Sequence, residues 1–171
     1  MPIRDPEHGL DALLRRLGLK RDKVVSVAFL PRPASVFEGA VRFQMPQDFR
    51  IAEYTREKAV FRGKDRQYRL TVTVMHFAAR LSRVKAEDLT ETFSSLLHVS
   101  GYPQLRRSKE DKFTALRADW AAEGCVLYLI QVQQTAAVLL WEHIPQARAG
   151  ECDAMIRSVT VNTARLRAMD K

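Results

Sequence analysis

No stretch of this 171-residue chain approaches the roughly 18–20 consecutive apolar residues that a membrane-spanning helix needs. The opening, Met-Pro-Ile-Arg-Asp-Pro-Glu-His, has no apolar core of a secretory signal, which points to a cytoplasmic protein. Cysteine is scarce as well. Cys125 and Cys152 are the only two, and without an export signal nothing supports the oxidising compartment that a structural disulfide requires. Neither has a Cys or His at ligand spacing, so both read as small buried hydrophobes. The histidines His8, His76, His98 and His143 stand apart from one another, and zinc spacing is absent. There is no Gly-rich phosphate loop, no Rossmann fingerprint and no Gly-x-Ser-x-Gly elbow. No cofactor or metal is expected.

What is present is an ordinary globular balance, with 46% hydrophobic and 28% charged residues. That suffices for one domain with a sizeable core and excludes wholesale disorder. The formal net charge is +8. It is densest over Arg50 to Arg69, where Arg50, Arg56, Lys58, Arg62, Lys64, Arg66 and Arg69 outnumber Glu53, Glu57 and Asp65. A second knot is Arg106-Arg107-Ser108-Lys109. The plain reading is a solvated basic face; the sharper one is an anion-binding patch. Tyr54, Phe61 and Tyr68 fall at positions that look at least half buried, which argues against stacked bases.

Asp5 to Leu17 predicts an amphipathic helix from Leu10, Leu13, Leu14 and Leu17, with Asp5-Pro6-Glu7 as its start and Gly18 as its stop. Lys23 to Leu30 reads as extended. Pro31 to Ser35 reads as a linker, giving an arm over residues 1–35 and a main domain over 36–171. Ala40 to Met45 alternates as a strand, and Glu57–Gly63 with Gln67–Phe77 make a hairpin around Gly63-Lys64-Asp65. Lys85 to Val99 predicts a helix on Leu89, Phe93, Leu96 and Leu97. Gln104 to Lys109 carries the charge of an edge strand.

The strongest pattern is Phe113 to Val161. Phe113–Ala121, Cys125–Gln133 and Ala136–His143 are strand-like and parted only by short turns, and Pro145–Val159 follows as a helix. Cys125 to Val132 is apolar on both faces, as a strand in the middle of a sheet covered on both sides must be. Short connections make the neighbours antiparallel. The expected fold is α+β: an α/β/α sandwich with a central antiparallel sheet covered by helices on both faces, plus an N-terminal helix.

The order of these elements resembles the PsbP-like α/β/α sandwich superfamily. The residues that carry the resemblance are Val41-Arg-Phe-Gln-Met-Pro46 as opening strand and proline, Leu70-Thr-Val-Thr-Val74 as central strand, Phe113-Thr-Ala-Leu-Arg-Ala-Asp-Trp120 leading into the meander, and Met155-Ile-Arg-Ser-Val159 as the ending. It extends over about Val36 to Val161. The superfamily includes an extrinsic protein of photosystem II, DcrB-type bacterial proteins, a Ran-binding nuclear-import factor and chaperones of type VI secretion effectors. The resemblance therefore implies a protein that binds proteins or peptides, and its cytosolic members suggest a bacterial adaptor or chaperone.

Chemistry-bearing residues do not assemble into a catalytic set. His76 and His143 end two strands, and their rings could approach if those strands neighbour one another. Glu142 and His143 are adjacent on a strand and point to opposite faces. The expectation is a non-enzymatic module with a protein or peptide partner. A nucleic acid or anionic surface is the alternative partner, an enzyme of unfamiliar type comes third, and a homodimer is left open. Candidate partner- or anion-binding residues are Arg56, Lys58, Arg62, Lys64, Arg66, Arg106 and Arg107, with Trp120 as an aromatic anchor at the mouth of a turn.

Overall fold

In the computed structural model, residues 32–169 are described. The expected helix over Asp5–Leu17 and extended segment over Lys23–Leu30 lie outside the described residues. In chain order the elements are β1 (Arg32–Val36), β2 (Val41–Met45), β3 (Arg50–Tyr54), β4 (Lys58–Arg62), β5 (Arg69–His76), α1 (Ala86–Leu97), β6 (Gln104–Lys109), β7 (Thr114–Trp120), β8 (Cys125–Val132), β9 (Thr135–Glu142), α2 (Ala149–Ser158), β10 (Thr160–Val161) and α3 (Thr163–Ala168).

Seven strands form one sheet in the order β3-β4-β5-β9-β8-β7-β6, and every pairing in it is antiparallel. β8 and β9 are central, as their two apolar faces require. Leu127 and Leu129 belong to one buried layer, with Leu89 and Phe93 of α1. Val126, Leu139 and Trp141 belong to the other, with Val41, Phe43 and Met45 of β2 and Cys152, Met155 and Ile156 of α2. The α+β class with an antiparallel sheet is as expected. The cover on the second face is richer than helices alone, because a three-stranded sheet, β1-β2-β10, lies there together with α2 and α3.

Two local expectations need correction. The described part of the expected linker is a strand: Arg32 to Val36 pairs antiparallel with β2, Pro33 opposite Gln44. Proline is tolerated because β1 is the edge of the small sheet, where a missing N–H breaks no ladder. In α1 the buried stripe is Leu89 and Phe93 with Leu97 packed against it, whereas Leu96 is 57% exposed. The left-handed exit of that helix is His98, at φ 52°, ahead of Gly101.

α2 is tied to β2 through Ser158, whose hydroxyl accepts from the Gln44 amide (2.8 Å) and donates to the Met155 carbonyl (2.6 Å). No described helix is long and apolar enough to cross a membrane.

Candidate functional site

One edge of the large sheet is β3, the other β6. All five residues of β3 are exposed, including Ile51 at 58% and Tyr54 at 51%. Among the described residues no strand pairs with its outer side, so its outward amides and carbonyls lack ladder partners. The pairing with β4 slips by one residue between Ile51 and Glu53. That bulge at Ala52 is why the sequence does not alternate there.

Register assigns the side chains of β3 to two faces. Ile51 lies opposite Phe61 and Tyr54 opposite Ala59, on the side of the layer that holds β2. Arg50 lies opposite Arg62, and Arg62 in turn opposite Arg69 on β5 and Arg69 opposite Glu142 on β9. Three guanidinium groups therefore stand in one row across the sheet. Arg69 is answered by Glu142, with Nε 3.0 Å from the carboxylate. Arg50 donates to the carbonyls of Gln47 and Phe49, and Arg62 to that of Arg66.

A cleft of about 720 Å³ opens at the Arg50 end of β3. It is lined by Asp48, Arg50, Ile51, Ala52, Arg62, Gly63, Lys64 and Arg66. Its one carboxylate is already committed. Asp48 accepts from Arg148 Nη1 (2.9 Å) and Nη2 (2.7 Å) and from the Lys64 amide (3.0 Å). The Arg148 hydrogen bonds hold its pKa below the ordinary carboxylate value. Arg148 also donates to Glu151 (2.7 Å) and lies over the rings of Phe49 and Tyr68, at 5.6 and 5.0 Å. This node fixes the β4–β5 turn that carries Lys64 and Arg66.

A second cleft, of about 550 Å³, lies at the Tyr54 end of β3 and includes Phe37, Glu38, Arg56, Glu57 and Arg165. The Tyr54 hydroxyl accepts from the Phe37 amide (2.9 Å), and Arg165 donates to the Glu38 carbonyl. These contacts hold Phe37 and Glu38 at φ 55° and 56°, a left-handed pair at the tip of the β1–β2 hairpin.

The basic residues singled out in the sequence divide into three places. Arg62, Lys64 and Arg66 meet in the first cleft, joined by Arg50. Arg56 lines the second, and Lys58 pairs with Glu53 (3.5 Å) between them. Arg106 and Arg107 are on β6, the opposite edge of the sheet, about 29 Å away across six strand spacings. Arg107 is occupied there by the carbonyls of Leu81 and Val84. Trp120 is not an exposed anchor: it is 3% exposed and packs in the layer under α1. Tyr54, expected to be half buried or more, is exposed, while Phe61 and Tyr68 are buried. His76 lies opposite Thr135, at the other end of β9 from His143, so the two rings are roughly 25 Å apart and share no site.

Both cysteines are buried free thiols, and burial pushes each up to about 12. Among the described residues no group of three or more His, Cys, Asp or Glu is placed to hold a metal ion.

The antiparallel sheet between α1 on one face and a small sheet with two helices on the other defines a layered α+β fold of the PsbP-like kind. The chain is similar to the solution structure of cyanobacterial PsbP (CyanoP) from Synechocystis sp. PCC 6803, with a TM-score of 0.51 and 13% identity over 78% of this chain and 93% of that one. A crystal structure from Bacteroides thetaiotaomicron VPI-5482 aligns with a TM-score of 0.45 and 11% identity, over 78% of this chain and 48% of that one. No family model and no curated protein matches the chain.

Proposed function

We propose that this protein is a non-enzymatic binding module, a cytosolic adaptor or chaperone that holds a segment of a partner protein along β3. The observation that carries the reading is the β3 edge of the seven-stranded sheet, unpaired on its outer side among the described residues, with exposed Ile51 and Tyr54 and a cleft at each end. Natural edges are blunted by charge, bulges or cover. β6 follows that rule fully, with Arg106, Arg107 and Lys109. β3 carries Arg50, Glu53 and a single bulge, yet it also exposes an apolar and an aromatic side chain, a mixture suited to receiving a short strand through main-chain hydrogen bonds.

The test is selection of a random peptide library displayed on phage against the immobilised protein. Enriched peptides are expected to lose binding to Ile51→Ser, which removes the apolar contact, and to Ala52→Pro, which removes a main-chain N–H and fixes φ at the bulge of the edge strand. Thermal melts of both variants report whether they fold. No enrichment, or peptides that bind both folded variants unchanged, refutes the reading.

A second reading, a nucleic-acid or anionic-surface binder, is favoured by the meeting of Arg50, Arg62, Lys64 and Arg66 on one cleft. It requires binding to oligothymidylate or anionic vesicles that weakens steeply with salt. Absence of such binding at low salt removes it.

A further inference from the structure

We infer that the segment held on β3 alternates acidic and apolar residues, its carboxylates seated against Arg50, Arg62, Lys64 and Arg66. The inference rests on the reading of β3 as a partner-binding edge and names the chemistry of its occupant. Three observations carry it.

The first is unbalanced charge. Arg50, Arg62 and Arg69 lie directly across from one another, and like charges so placed repel. Glu142 answers Arg69 alone. Arg50 and Arg62 spend hydrogen bonds on neutral carbonyls, and the Lys64 and Arg66 side chains have no carboxylate partner among the described residues. Asp48 is taken by Arg148 and the Lys64 amide. A carboxylate from outside would relieve this row, and a planar guanidinium can grip it in bidentate fashion.

The second is space. At about 720 Å³ the cleft has the size of a small-molecule site and holds several side chains rather than one ion.

The third is the two-faced edge. Arg50 and Arg62 are on one side of the sheet and Ile51 and Tyr54 on the other. A strand added to β3 sends alternate residues to opposite sides. Its side chains therefore meet cations on one face and apolar groups on the other. Farther along the cationic face Glu53 is paired with Lys58, so the acidic positions belong at the Arg50 end. A nucleic acid offers no such alternation, which is why a protein segment is the better occupant.

The experiment is fluorescence anisotropy with synthetic fluorescein-labelled peptides of about ten residues, alternating Glu–Val, Gln–Val or Lys–Val. Glu–Val should bind, Gln–Val should bind at least about tenfold more weakly, and Lys–Val should not bind. The double variant Arg62→Gln/Arg66→Gln should lose about tenfold in affinity for Glu–Val and leave Gln–Val unaffected, with thermal melts confirming its fold. Raising salt from about 0.05 to 0.2 M should weaken Glu–Val only. Equal binding of Glu–Val and Gln–Val that is lost in Ala52→Pro overturns the acidic specificity and leaves the edge reading standing. Glu–Val binding that falls in the arginine variants but is untouched by Ile51→Ser and Ala52→Pro overturns the edge reading itself. Oligothymidylate that binds more tightly than Glu–Val and displaces it replaces the peptide with a nucleic acid.

Discussion

Replacing Arg148 with methionine should be among the most damaging single changes near the clefts. The guanidinium makes two hydrogen bonds to Asp48, one to Glu151 and two face-on ring contacts, with side-chain exposures of 22% for Arg148 and 27% for Asp48. Exposed ion pairs contribute about 0–1 kcal/mol, and removing one partner of a buried pair costs about 3–5 kcal/mol. This pair is mostly shielded but not dry, which places the cost near 2–3 kcal/mol. The ring contacts add about 0.5–1 kcal/mol. A total of about 3 kcal/mol lowers the melting temperature by about 6–12 °C in a chain of this size.

Arg148→Lys should recover less than half of the loss, because an ammonium cannot engage both Asp48 oxygens at once. The pH dependence provides an independent check. The folded pKa of Asp48 is depressed below 3.8, so its stabilisation is fully present above that value. As pH falls through the lower folded value, the unfolded chain binds the extra proton first and the contribution disappears. Asp48→Asn should therefore be less stable than the native protein at neutral pH and converge with it in acid. The assay is urea denaturation followed by circular dichroism at a series of pH values. A loss under about 1 kcal/mol in Arg148→Met, or parallel pH curves for the native protein and Asp48→Asn, would refute the account of this node.

Other consequences are open to the same measurements. The Tyr68 hydroxyl is buried with no hydrogen-bond partner among the described residues, and burial raises its pKa. Tyr68→Phe should stabilise the fold by about 1 kcal/mol, and a destabilised variant would reveal a partner for that hydroxyl. Neither Cys125 nor Cys152 should react with a disulfide reagent at neutral pH until the protein is unfolded. As thiols with folded values pushed up to about 12 from 9.0, they should oppose unfolding less as pH climbs between those two values. Gly124 sits at φ 60°, where an added Cβ would come within 3.0 Å of the Ile144 carbonyl oxygen. Gly124→Ala should cost about 1–2 kcal/mol in a chemical melt, and an unchanged midpoint would contradict that packing.

The meander was legible because its physics is local: Cys125 to Val132 shows two apolar faces to any reader of the sequence, and only a central strand satisfies both. β3 was not legible, because the bulge at Ala52 shifts Glu53 and Tyr54 out of period and none of its residues is buried. β1 was masked by Pro33, a residue that excludes a central strand but not an edge. The positive charge over Arg50 to Arg69 was plain, yet its division into two clefts depends on register. The turn at Arg56 and the turn at Lys64 lie at opposite ends of β4, and nothing in the composition separates them. Trp120 looked available beside a turn, whereas the alternation of β7 sends it inward. The node at Arg148 had no sequence signal, because Asp48 lies 100 residues away and meets it only once the layers are stacked.

The two tryptophans fall on opposite sides of the large sheet, Trp120 beneath α1 and Trp141 against β2 and α2. Each layer thus contains its own fluorophore, and the chain has no third tryptophan to blur them. A pair of single-tryptophan proteins, Trp120→Phe and Trp141→Phe, would follow water entry into each layer separately during denaturation. Coincident emission changes would mean that the β8–β9 ribbon couples both layers into one melting event. Staggered changes would reveal which layer leaves first.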